Sequence, residues 1–130
     1  MMPYDNSSTI AAGSAIEFPN NGPTNNINIT RISPSTFNLS AIGIYEIIFN
    51  VSITEPGQLI IVINGIEQLY TVVGRATGTS QIIGNSLVST NIPNSILSIN
   101  NPLGNSTALT ITPIAGGNNT VSAHLIIKEY

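Results

Sequence analysis

The sequence contains no cysteine and no tryptophan. The first absence excludes disulfides, thiolate catalysis and cysteine-ligated metals, so the fold stands on packing alone. The second removes the broadest aromatic platform a carbohydrate cleft could use. Charge is nearly missing too: 7% of residues are charged, against about 25% in an average domain. The cations are Arg31, Arg75 and Lys128, the acids are Asp5, Glu17, Glu46, Glu55, Glu67 and Glu129, and the net charge is −3. Three scattered cations cannot neutralise a run of phosphates, so nucleic acid is not expected as a partner. The same scarcity argues against an anionic membrane surface. No apolar run approaches the ~20 residues of a spanning helix, so membrane insertion is not expected. Met1 to Asn20 has neither a basic start nor an apolar block and does not read as a secretory signal.

What is present is neutral and β-branched. Asn, Ser and Thr number 17, 14 and 13, and replace charge as the source of solubility. Little long-range repulsion then keeps copies apart, which favours close self-association. Ile is the commonest residue, with 23 copies against 8 of Leu. Such residues favour strands over helices. At 130 residues the chain suits one domain that can bury roughly 65–70% of its unfolded surface.

Residues 1–10 are polar and are expected to form a flexible tail, with one domain over 11–130. Short apolar runs alternate there with Gly, Pro and Asn clusters, the pattern of an all-β sandwich or barrel. The clearest strand is Gly43 to Ile53. Tyr45, Ile47, Phe49, Val51 and Ile53 share one apolar face, and Ile44, Glu46, Ile48, Asn50 and Ser52 share the other. Asn64-Gly65, between Gln58–Ile63 and Ile66–Val73, is a strong hairpin signal. Leu59 to Ile63 is apolar on both faces, so its second face needs a cover from a loop or a neighbouring subunit. Further strands are expected over Ser14–Phe18, Ile27–Ile32, Thr36–Leu39, Gln81–Thr90, Ser95–Asn100, Ala108–Ile114 and Val121–Tyr130. In the last, Val121, Ala123, Leu125 and Ile127 share one face, and His124, Ile126, Lys128 and Tyr130 the other.

A catalytic constellation is hard to assemble. A hydrolytic triad needs a base and an orienting acid, yet His124 is the only His and Asp5, in the tail, the only Asp. There is no G-x-S-x-G elbow. Two carboxylates would suffice for a glycosidase, and Glu17, Glu46, Glu55, Glu67 and Glu129 could supply a pair, but no Trp accompanies them. One His and no Cys leave nothing at metal-ligand spacing. Gly74-Arg75-Ala76-Thr77-Gly78 lacks the lysine of a phosphate loop. Six N-x-[ST] matches, at Asn6, Asn28, Asn38, Asn50, Asn105 and Asn118, follow from composition. No enzyme, cofactor or metal site is expected.

Three segments together carry a resemblance. They are Gly43-Ile44-Tyr45-Glu46-Ile47, Leu59-Ile60-Ile61-Val62-Ile63-Asn64-Gly65-Ile66 and Ser122-Ala123-His124-Leu125-Ile126-Ile127-Lys128-Glu129. In order and spacing they resemble the C-terminal domain of the Bacillus collagen-like exosporium glycoproteins and, more broadly, the complement C1q/tumour-necrosis-factor jelly-roll superfamily. The resemblance covers roughly residues 10–130 and implies a ten-stranded jelly-roll sandwich, homotrimeric, at the tip of a collagen-like filament on a spore surface or other extracellular surface. The implied role is trimerisation and surface presentation, in adhesion or recognition of a host or spore-surface protein or glycan. No Gly-x-y repeat occurs in the sequence, so the stalk is implied by analogy, and fold-level analogy does not fix function. A trimeric viral or phage fibre tip and a small carbohydrate-active enzyme are the alternative readings.

Parity gives the expected trimer interface: Ile44, Ile48, Ile126 and Tyr130, with His124 beside them. A monomer exposing these would show a large apolar patch. Three copies of His124 near an axis would place like charges together on protonation, so acidification is expected to weaken the trimer.

Overall fold

The computed structural model describes residues 9–18, 21–24, 27–53, 55–75, 81–105, 108–110 and 123–130. Among them the strands are β1 (Thr9–Ile10), β2 (Ile29–Arg31), β3 (Phe37–Leu39), β4 (Ile44–Ser52), β5 (Gly57–Ile63), β6 (Ile66–Glu67), β7 (Val73–Arg75), β8 (Gln81–Ser89), β9 (Ser95–Asn100), β10 (Leu109–Thr110) and β11 (Ala123–Glu129). The only helical element among these residues is a 3₁₀ turn at Leu69–Thr71. The architecture is all-β and sandwich-like. One sheet has the order β11-β4-β8, the other β2-β3-β9-β5-β6 with β7 also on β5, and β1 pairs with β10. Four antiparallel pairings are nested in sequence: β5–β6 lies within β4–β8, which lies within β3–β9, which lies within β1–β10.

β4 follows the expected period of two. Tyr45, Ile47, Phe49 and Val51 are buried, as is Ile53 just beyond the strand. They meet Leu39, Leu59, Ile61, Leu97 and Ile99 from the other sheet in one core. Tyr45 is fully buried because its hydroxyl still finds a partner, donating to the Ala41 carbonyl at 2.6 Å. Burial raises the phenol's pKa, and the charge of Glu129 adds to the rise. Phe49 lies opposite Gly84 of β8, and a Cβ at Gly84 would run into the Phe49 ring. The missing side chain makes room for the aromatic one.

All five residues of Leu59 to Ile63 are buried. Leu59, Ile61 and Ile63 belong to the core, while Ile60 and Val62, on the opposite face, are 1% and 6% exposed. The cover for that second face therefore comes from the chain itself, and this run makes no demand on a neighbour. The hairpin after it is built as expected. Asn64 and Gly65 both have positive φ, 53° and 80°, the mark of a type I′ turn that matches strand twist.

Three expectations need correction. Ile66–Val73 is not one strand: β6 and β7 are separated by the 3₁₀ turn. Thr71 causes the break, since its buried hydroxyl accepts the Ile61 N–H at 3.0 Å and donates to the Gln68 carbonyl at 2.7 Å. Ser14–Phe18 forms only an isolated bridge, Ala15 to Asn100. Ile16 and Phe18 nonetheless enter the core, as a backbone bond from Ile16 N–H to the Ile99 carbonyl draws the segment in. Thr9 and Ile10, placed in the flexible tail, form β1, and Ile10 is buried. The Asn101 amide donates to the Ile10 carbonyl at 3.1 Å and holds that end. In the remaining runs, residues 111–114 and 121–122 lie outside the described residues.

Candidate association face

The inner faces of the two larger sheets make the core, which leaves two outer faces. That of β11-β4-β8 is set by register. His124, Asn50 and Ile83 form one rung, Ile126, Ile48 and Asn85 the next, and Lys128, Glu46 and Leu87 the third. Ile44 then pairs with Ser89, and Tyr130 follows β11 there, its N–H donating to the Ile44 carbonyl at 2.9 Å. Because side chains alternate across a strand, all of these point away from the core. Ile44, Ile126 and Tyr130 are 48%, 58% and 63% exposed, and Ile48 is half-buried among its neighbours.

The five residues expected at an interface, Ile44, Ile48, His124, Ile126 and Tyr130, thus lie on one surface. β8 adds two more that the sequence reading missed, Ile83 at 59% exposure and Leu87 at 53%. Their parity was available in Gln81–Ser89, but the adjacent pair Ile82-Ile83 hides which one faces in. Only the pairing of Ile82 with Val51 decides it. Tyr70, exposed on the 3₁₀ turn, donates its hydroxyl to the Leu87 carbonyl at 3.1 Å. It caps an acceptor on strand β8, and nothing in the sequence pattern places it there.

His124, Asn50, Asn85, Lys128, Glu46 and Ser89 share this face with the apolar residues, and three of its polar side chains engage one another. Tyr130 donates its hydroxyl to Glu46 Oε1 at 2.8 Å, and this bond is the main reason its pKa is raised. The Lys128 ammonium sits 5.2 Å from the Tyr130 ring centroid, within cation–π range. Asn50 Oδ1, in the middle strand, is buried and has no hydrogen-bond partner. Such an acceptor costs about 1–3 kcal/mol.

No group of three or more His, Asp or Glu that could hold a metal occurs among the described residues. Of the carboxylates open to a glycan-cleaving reading, Glu46 and Glu67 sit on different sheets. Glu67 accepts the Leu103 N–H at 2.7 Å. Glu55 accepts the N–H and hydroxyl of Thr110 at 2.7 and 2.6 Å, and Glu129 accepts the Asn28 amide at 3.1 Å. These carboxylates tie neutral partners across the fold. The chemistry the face itself supports is burial of apolar area. No protein-family model matches the chain, and no curated protein matches it.

Proposed function

We propose that the chain is a non-catalytic, self-associating jelly-roll module that forms a homotrimer through the outer face of β11-β4-β8 and presents its remaining surface to solvent. The observation that carries the reading is that face itself: Ile44, Ile48, Ile83, Leu87, Ile126 and Tyr130 lie on one sheet surface in a subunit with little charge to hold copies apart. An exposed contiguous apolar patch is the usual mark of an association site. At about 25 cal/mol per Å², an obligate interface of ~2,000 Å² or more would contribute tens of kcal/mol gross, before the costs of association.

Nested antiparallel pairs, spread over the three sheets, support the jelly-roll reading, since a jelly roll is two Greek keys folded from paired strands. The threefold state, and placement at the tip of a collagen-like spore-surface filament, rest on the three-segment resemblance. Adhesion or recognition would then fall to surfaces outside the interface.

Light scattering tests the reading. A mass near three times 13.6 kDa is expected at neutral pH. A stable monomer at high concentration would overturn it.

A further inference from the structure

Two Asn-Gly dipeptides, Asn21-Gly22 and Asn64-Gly65, lie among the described residues, and their surroundings differ in the features that govern asparagine cyclisation. In this reaction the backbone nitrogen of the glycine attacks the asparagine Cγ. A new C–N bond forms through a tetrahedral oxyanion on Oδ1, and the Cγ–Nδ2 bond breaks. The attacking nitrogen loses its proton to solvent base, and Nδ2 takes up a proton and leaves as ammonia. Water then opens the cyclic imide at either carbonyl, leaving aspartate or isoaspartate. Glycine lets the backbone bring nitrogen and Cγ together because it has no Cβ.

Asn64 is held against this. Its Oδ1 accepts the Ile96 N–H at 2.9 Å, its Nδ2 donates to Ser95 Oγ at 3.3 Å, and its own N–H donates to the Ile96 carbonyl at 2.8 Å. Its backbone is fixed in the left-handed region by the turn. Reaching Gly65 N would require these bonds and the turn to open together.

Asn21 is built the other way. It is exposed, as is Gly22, in a segment without regular structure, and a Cβ at Gly22 would meet nothing within 4 Å. Its amide nitrogen makes no hydrogen bond among the described residues. Its Oδ1 accepts the Arg31 Nε–H at 2.7 Å. The guanidinium is itself immobilised: Nη1 donates to the Ser33 and Pro34 carbonyls at 3.3 and 3.2 Å, and its carbon lies 4.9 Å from the Phe37 ring centroid. A fixed cation thus donates to the oxygen on which negative charge develops, the arrangement of an oxyanion hole.

We propose that Asn21-Gly22 is a self-modifying site, deamidating through the cyclic imide with Arg31 as the positioning and charge-stabilising residue, while Asn64-Gly65 is protected by the fold. The product carboxylate remains beside Arg31, so a neutral acceptor becomes a charged one and the bond strengthens. The site is independent of the association face.

The experiment is peptide mapping by mass spectrometry of the folded chain after incubation in mildly alkaline buffer, with fragmentation that separates aspartate from isoaspartate and with a urea-unfolded sample in parallel. In the folded chain, a one-dalton gain is expected at Asn21, and at Asn64 a rate at least ~10-fold below that in urea. In the folded state Arg31→Gln should slow Asn21 by roughly threefold to tenfold, an exposed donor being worth far less than the ~10²–10³ of a buried oxyanion hole. Arg31→Lys should fall between the two, and in urea all three chains should react alike. Asn64 reacting as fast as Asn21 in the folded chain would overturn the assignment. So would a folded Asn21 that stays intact while the unfolded one reacts. An Arg31→Gln rate equal to or above that of the parent chain removes the role of Arg31.

Discussion

On the outer side of the six-stranded sheet, neutral polar groups close hydrogen bonds with one another. Asn38 donates to Asn94 Oδ1, Ser98 to Asn100 Oδ1, and Asn100 to the Gly13 carbonyl. On the outer side of β11-β4-β8, Ile44, Ile48, Ile83, Leu87, Ile126 and Tyr130 stand among His124, Asn50, Asn85, Lys128, Glu46 and Ser89. Both surfaces come from a chain that avoids charge, yet the first leaves Ile96 as its exposed strand isoleucine and the second exposes Ile44, Ile83, Leu87, Ile126 and Tyr130. The contrast is between two ways of finishing a sheet with little charge: amide and hydroxyl groups solvate without repelling, and exposed isoleucine leaves apolar area that the proposed association would bury.

The strongest way to break this contrast is to place charge on each side in turn. Ile48→Asp with Ile126→Asp should convert the proposed trimer to monomers, a loss of at least ~100-fold in association constant, since each carboxylate buried in the interface would lack a partner. Ile96→Asp, on the outer side of the large sheet opposite Asn38, should leave the mass unchanged. Light scattering of the two variants reads the difference, and equal masses would end the distinction between the faces.

Next in size is Gly84→Ala, which acts on the inner side of the same small sheet. The added methyl meets the Phe49 ring and should lower unfolding stability by about 1–3 kcal/mol. Denaturant titration measures it, and a neutral result would mean that Phe49 is free to move. On the polar side, Asn64→Ala should cost about 1–2 kcal/mol. It loses the bond to Ile96 N–H and leaves a Cβ-bearing residue without side-chain bonds at positive φ.

The smallest effect is with pH. The folded-state pKa of Tyr45 is raised above its ordinary 10.0, chiefly by burial. The folded chain therefore holds the phenol proton more tightly than the unfolded chain. The resulting stability is fully present below pH 10 and is lost as pH rises toward and through the folded value. Urea midpoints should fall across this alkaline range, and less steeply in Tyr45→Phe. An identical fall in both would assign the effect to other groups, Tyr130 among them.

Much of this was legible beforehand where the pattern is strict. In β4, apolar side chains at every second position from Tyr45 to Ile53 define the inner face, and the same parity set out four of the five candidate interface residues. Asn64-Gly65 fixed a hairpin because that pair accepts positive φ at both positions. Legibility failed where two like residues adjoin, as at Ile82-Ile83, and where a single polar side chain redirects the backbone, as Thr71 does. It also failed at Ile10 and Ile16, whose burial depends on hydrogen bonds to residues about ninety and eighty positions away, at Asn101 and Ile99.

The sequence alone determined the all-β character and the identity of the principal strands, because β-branched periodicity and turn residues act over a few neighbours. Tertiary structure decided which face each sheet turns outward and which of the two doubly apolar surfaces the chain covers itself. It buries Ile60 and Val62 and leaves Ile44, Ile83 and Ile126 open. Composition is nearly the same in both places. What separates them is burial in the folded chain, a tertiary property that strand periodicity does not encode.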